Sequence, residues 1–245
     1  MKNHNIEDLI LERFPYVKPF KVIAFSNKGG LEVEIYKNQL YFNNNFGELI
    51  QIISTIGSYC VSINNKKQNI SAFLGKKMRI RKHNFMQLLD KSITASVMPI
   101  INNKKDVRSV INLFSEENLI YSFELDYTVF SKRVFEKIFN NHYVSDHNTV
   151  VDDINRIPSV KNNYIDEWNF VALIDKFTKD HCLGHFQNYP IVPSVRILDC
   201  LIKSIKNWMK HIISLTDRLI IVDSVEMFLN KAMPIERIYH SHITQ

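Results

Sequence analysis

Pro190, Pro193 and Ser194 constrain the fold of this chain more than any other residues. Each proline locks φ and removes a backbone donor, so the segment before Ser194 is neither regular helix nor central strand. Ser194 is a good N-cap, and Val195, Leu198, Leu201, Ile202 and Ile205 recur behind it at helical spacing. That spacing predicts a helix with one apolar face, running to about Lys210. The sixteen residues from Gly184 to Asp199 therefore read as a loop that ends at a helix start. His185 lies in the loop and Asp199 in the second helical turn. Free backbone N–H groups at such a start, that of Val195 among them, favour partial negative charge.

At 245 residues the chain can bury a large core or two small ones. The basic excess sits in the first part: residues 1–149 hold 20 Lys+Arg and 14 Asp+Glu, residues 150–245 hold 11 and 11. That asymmetry suits an acidic partner or a solvated surface. Helix-turn-helix, zinc-finger and aromatic RNA-platform patterns are missing, so nucleic acid is not an expected partner. No run of 18 apolar residues predicts a membrane span, and the first residues lack the apolar core of a signal peptide. Cys60, Cys182 and Cys200 have no metal-ligand spacing and read as reduced thiols of a cytoplasmic protein. His181 lacks second and third ligands and reads as a polar loop residue, and Cys200 reads as packing.

Along the chain, Ile6 to Arg13 reads as a short helix, and Val17 to Phe25 and Leu31 to Tyr36 as strands joined by the turn Asn27-Lys28-Gly29-Gly30. Residues 39–47 read as a loop, and Glu48 to Val61 as a helix with Leu49, Ile52, Ile53 and Ile56 as its buried stripe. Lys76 to Lys82 is a basic strand with Lys77, Arg79 and Arg81 on one face and Met78 and Ile80 on the other. Ser92 to Ile101, Val107 to Phe114 and Leu119 to Phe130 complete an antiparallel set able to wrap the helix. Lys132 to Asn140 reads as a helix with Val134, Phe135 and Ile138 on one face. Residues 141–166 are polar and read as a linker. Leu219 to Phe228 and Ile235 to Ile243 read as further strands.

The segment from Gly184 to Asp199 resembles the active-site segment of the 3-hydroxyacyl-ACP dehydratases, which have the hotdog fold. Gly184-His185-Phe186, Pro190, Pro193 and Asp199 match that family in order and spacing, with Ser194 where the family has glycine. The acid is Asp, as in the branch that also isomerises its product. Arg13-Phe14-Pro15-Tyr16 is similar to the family's opening before its first strand. The resemblance implies an α+β tandem (double) hotdog, with long helices wrapped by curved antiparallel sheets. Its parts would be a degenerate first hotdog at 1–140, a linker at 141–166, and a second hotdog at 167–245 that is short by one or two strands. Either the chain has been trimmed or strands of the first half complete the second sheet.

The same resemblance implies a function: removal of water from a 3-hydroxyacyl thioester in fatty acid, polyketide or similar biosynthesis. The substrate would arrive on the phosphopantetheine of an acidic acyl carrier protein, with no other cofactor and no metal. His185 would be the base and Asp199 the acid or orienting group, with Ser194 and the Val195 N–H at the thioester oxygen. In the family, however, the His and the acid of one site come from two hotdogs packed helix to helix. His185 would then face the first helix, where Glu48 and Gln51 are the nearest polar residues. Asp199 would face the Tyr41–Asn45 loop, with Tyr41-Phe42 standing where His-Phe would be. A complete pair would need a homodimer or a second hotdog subunit, or Glu48 or Gln51 as substitute. Lys77, Arg79 and Arg81 are candidates for carrier-protein docking; their other reading is a charged edge strand that discourages aggregation. The alternatives are an inactive hotdog subunit that binds an acyl chain or partners a dehydratase, and a thioesterase that activates water through Glu48 or Asp199.

Overall fold

The computed structural model describes residues 5–36, 46–65, 70–84, 93–103, 105–145, 157–167, 169–186, 188–213, 223–229 and 231–244. Its centre is α1, Phe46–Asn64, which is buried on nearly every side. Leu49, Ile52, Ile53 and Ile56 recur at helical spacing, and Ile50, Tyr59, Cys60 and Val61 fill the remaining faces. A helix apolar all round has to lie inside something. By length and composition α1 could cross a membrane, but 78 % of its apolar window is buried in the fold. Its hydroxyls bond back along the helix: Thr55 Oγ1 donates to Gln51 O at 2.9 Å and Ser58 Oγ to Ser54 O at 3.0 Å.

Around α1 curls an antiparallel sheet: β1 Lys21–Phe25, β2 Leu31–Ile35, β3 Ser71–Lys82, β4 Ile93–Ile101, β5 Asp106–Ser115 and β6 Asn118–Ser131. The strand order is β1-β2-β4-β5-β6-β3. Alternation along β5, and along β6 from Tyr121 on, turns Val107, Ile111, Leu113, Phe123, Leu125 and Tyr127 towards the helix. This helix-in-sheet arrangement is α+β. Helix and sheet touch closely at Gly57, whose carbonyl accepts a 3.0 Å bond from Ser109 Oγ; a side chain there would lie 2.8 Å from the Tyr127 hydroxyl.

After β6 comes α2, Lys132–Ile138. Of the three residues expected on its inner face only Phe135 is buried; Val134 and Ile138 are 45 % and 54 % exposed. Phe135 packs on Phe139 and on Phe186 of the loop before Ser194, each ring pair 4.7 Å apart.

The last part of the chain holds β7 Val160–Tyr164, β8 Asn169–Ile174, α3 Ser194–Ile213, β9 Ser224–Phe228 and β10 Tyr239–Thr244. Helix α3 starts at Ser194, as the prolines require, and packs against α1. Val195 and Leu198 enter the main core, while Cys200 and Trp208 enter a second core with Phe170, Ala172 and Ile174. The helix thus joins two sheets. The smaller sheet has the order β10-β8-β7.

Four expectations are corrected here. Ile6–Asp8 is a short 3-10 turn with Asn5 as its cap, not a helix to Arg13. The first strand begins at Lys21, not Val17. The expected linker contains β7, which pairs with β8 along its whole length. Finally, β3 is not an edge strand: β9 pairs with it, Arg79 opposite Glu226 and Ile80 opposite Val225. The start of the Leu219 strand, the Tyr41–Asn45 loop and residues 146–156 lie outside the described residues.

Candidate active site

Two short motifs that are far apart in sequence meet at the site. Gly184 has a φ of 77°, a conformation that favours glycine. It also lies so close to the first motif that a Cβ would meet Arg13 O at 2.5 Å and Tyr16 N at 2.7 Å. The Arg13 N–H donates to Gly184 O at 2.7 Å. The Arg13–Tyr16 segment is thereby clamped onto the loop that carries His185.

His185 is 8 % exposed. Its ring lies 4.7 Å from that of Tyr16 and 4.1 Å from that of Phe186. Nδ1 is 3.0 Å from the carbonyl oxygen of Ile191, in the segment between the two prolines. A carbonyl only accepts, so Nδ1 carries the proton and Nε2 is left with its lone pair. Burial pulls the imidazole pKa down to about 4, with the Arg196 charge adding to the effect and the Ile191 bond opposing it. The ring is therefore neutral and able to accept a proton at physiological pH.

His185 lines two adjoining cavities. The larger, about 640 Å³, opens between β3 and the loop after β9 and passes Lys76, Lys77 and Lys231. The smaller, about 60 Å³, lies deeper, between β3, α1 and the N-terminal segment, and is lined by Glu12, Tyr16, Thr55, Ser58 and Tyr127. Ser194 lines both, at the start of α3. Val195 lines neither; its side chain is buried in the main core.

Asp199 is elsewhere. It accepts the backbone N–H of Gly47 at the start of α1 and lies 4.0 Å from Arg196 Nη1. It lines neither of the cavities that His185 lines. Burial raises its pKa to about 6, with Arg196 and the Gly47 N–H opposing the rise. Glu48 is 3.3 Å from Lys18 Nζ, and so is held in an ion pair at the same helix start. Gln51 is 1 % exposed and donates through Nε2 to Tyr16 O at 2.5 Å, behind the ring that packs on His185. Of the docking candidates, Lys77 is 2.6 Å and Arg79 2.7 Å from Glu226 of β9, and only Lys77 lines a cavity with His185.

Glu12 escaped notice in the sequence, as did Arg196. Glu12 is 5 % exposed, and its Oε2 has no hydrogen-bond partner among the described residues. Burial drives its pKa up to about 8, against its own backbone N–H and the Arg13 charge. Among the described residues no group of three or more His, Cys, Asp and Glu is placed to hold a metal. His181 Nδ1 accepts the Thr178 N–H at 2.9 Å and so caps a short turn. Cys60, Cys182 and Cys200 are buried and free, each thiol pushed up to about 12, mainly by burial.

No family model matches the chain, and no curated protein matches it in sequence. Among solved structures it is similar to the dehydratase heterocomplex ApeI:P from Xenorhabdus doucetiae, at 12 % identity over 57 % of this chain and 99 % of that one, with a TM-score of 0.43. It is also similar to a thioesterase from Haemophilus influenzae, at 16 % identity over 46 % of this chain and 78 % of that one, TM-score 0.38. A hypothetical thioesterase from Streptococcus pneumoniae, solved with coenzyme A, matches at 13 % identity over 46 % of this chain and 87 % of that one, TM-score 0.36.

Proposed function

We propose that the chain is a tandem hotdog protein that dehydrates a 3-hydroxyacyl thioester, delivered on the phosphopantetheine arm of an acyl carrier protein. The observation that carries this reading is His185: buried, neutral, and fixed through Nδ1 with Nε2 unprotonated, at the junction of a large open cavity and a small polar one. Dehydration needs a base for the C2 proton, and a neutral imidazole held in one tautomer supplies it. Ser194 lines both cavities at the start of α3, where backbone N–H groups favour the charge that builds on the thioester oxygen. The larger cavity has room for a thioester-linked arm, and the lysines along it suit phosphate. The β3–β9 pairing and the α1–α3 contact support the tandem reading, with β9 as the strand through which one half borders the other. The three free thiols suit a reducing compartment such as the cytoplasm.

The experiment is an incubation of purified protein with a 3-hydroxydecanoyl phosphopantetheine thioester, following enoyl product and free thiol together. Enoyl formation is expected. Thiol release would move the protein to the thioesterases. Neither product from folded protein would favour a non-catalytic subunit.

Carrier docking is assigned to the cavity mouth and the outer face of β3, through Lys77, Arg79 and Arg81. The Arg79→Glu, Arg81→Glu double variant is expected to raise KM for a carrier-bound substrate several-fold and to leave a small pantetheine thioester unaffected. Equal losses on both substrates would reject docking on this face.

A further inference from the structure

A dehydratase needs an acid as well as a base, and the acid expected from sequence, Asp199, lines neither cavity that His185 lines. The other carboxyls near the site are engaged. Asp126 lines both cavities but is tied to Arg108, Oδ1 to Nε at 2.5 Å and Oδ2 to Nη2 at 3.0 Å. Glu48 is in its ion pair with Lys18. Gln51 has no acidic proton.

Glu12 differs on each count. It lines the smaller cavity with His185, it is 5 % exposed, and Oε2 meets no hydrogen-bond partner among the described residues. Such an unpaired buried carboxyl oxygen is costly and calls for an occupant. Tyr127 lines the same cavity, and its hydroxyl is likewise buried without a partner among the described residues. At about 60 Å³, the cavity has room for a small polar group such as a hydroxyl with its carbon.

Building on the dehydratase reading, we propose that Glu12 is the general acid, its carboxyl proton passing to the C3 hydroxyl as that group leaves. His185 Nε2 takes the C2 proton. The C2–H bond electrons form the C2=C3 double bond, the C3–O bond breaks, and the leaving oxygen takes the Glu12 proton to become water. The carboxylate and imidazolium that remain are reset when the His185 proton returns to Glu12 through that water. No oxidant, reductant or metal enters the balance. Burial keeps Glu12 protonated at neutral pH, and thus ready to donate.

The test compares two pantetheine thioesters, one with a 3-hydroxyl and one with a 3-acetoxy group, whose departing acetate needs little protonation. Glu12→Gln is expected to lower kcat on the hydroxyl substrate by about 10²–10³-fold and to come within a few fold of wild type on the acetoxy substrate. His185→Ala should lose both. Glu12→Asp, which keeps the acid on a shorter arm, should recover part of the hydroxyl rate and guards against a Gln variant that does not fold. Equal loss on both substrates by folded Glu12→Gln, or no loss on either, overturns the role of Glu12 while leaving the dehydratase reading in place. Absence of enoyl product from wild type on both substrates overturns the reading and the acid together.

Discussion

His185→Ala is expected to lower enoyl formation by about 10²–10⁴-fold, the usual contribution of a positioned base. The ring is held by three neighbours: the Ile191 carbonyl fixes the tautomer, while the tilted rings of Tyr16 and Phe186 pack against it. A base so held differs from a free histidine in its pH response. Desolvation disfavours the imidazolium and brings the pKa from 6.5 to about 4. The acid limb of kcat/KM should therefore fall near pH 4 rather than near 6.5. Because Glu12 must be protonated to donate, the alkaline limb should fall near pH 8, where its carboxyl ionises. Rates from about pH 3.5 to 9 would decide this. An acid limb near 6.5 would place the active histidine in water rather than at this buried position. Circular dichroism of the alanine variant separates lost chemistry from lost fold, since the Ile191 carbonyl loses its donor at a cost of about 1–3 kcal/mol.

The second large effect is on stability. Glu12 has a folded pKa of about 8 against an ordinary 4.5. Between those values the unfolded chain has released the proton and the folded chain has kept it, so stability falls as pH rises through the window. His185 acts in the opposite sense. Its folded value of about 4 lies below 6.5, so its contribution is complete above 6.5 and is lost as pH falls towards 4. Asp199, raised from 3.8 to about 6, destabilises as pH rises through that lower range only. Above pH 6.5, of these three groups, Glu12 alone is still titrating. The groups packed around it are Arg13, Tyr16, Tyr127 and His185, and burial keeps the two tyrosines neutral in this range. At about 1.4 kcal/mol per pH unit, urea unfolding should show wild type losing about 2 kcal/mol between pH 6.5 and 8.5. Glu12→Gln should lose only about 0.5 kcal/mol over the same range, as the three buried thiols, raised from 9.0 to about 12, begin to count. A wild-type profile as flat as the variant's would mean that Glu12 is ionised in the folded protein.

The sequence was most readable where local chemistry decides structure. Pro190 and Pro193 mark the start of α3 because ring closure acts within a few residues; Ser194 is the first residue of that helix rather than its cap. Strands β4, β5 and β6 show their period because one face meets α1 and the other does not. Elements specified by distant partners were hidden. Strand β7 reads Val-Lys-Asn-Asn-Tyr, and of these only Val160 is buried, so its pairing with β8 leaves little trace in composition. Asn162 is fixed by Ser204 of α3, through bonds of 2.6 and 2.8 Å, which no local window contains. Glu12 was missed for the same reason. A glutamate beside an arginine reads as surface, and only the Gly184 loop folding over residues 13–16 encloses the segment. The place of His185 in the loop before α3 was legible; which carboxyl shares its cavity was not, because that depends on how distant parts of the chain meet.

The pairing of β9 with β3 also bears on how the molecule is made. Arg79 and its partner Glu226 are 147 positions apart. On a ribosome adding about 5–20 residues per second, the flank of β3 therefore stays open for on the order of ten seconds before its neighbour exists. In that interval the six strands around α1 form a sheet with an unprotected border, the arrangement most prone to recruit another nascent chain. Lys77, Arg79 and Arg81 stand along that border; Arg79 lies 3.6 Å from Glu124 of β6, and until Glu226 is synthesised the charge of this row left over repels a second copy of the same strand. The ion pairs of the finished protein are in this sense the late neutralisation of a guard that matters earlier, during translation.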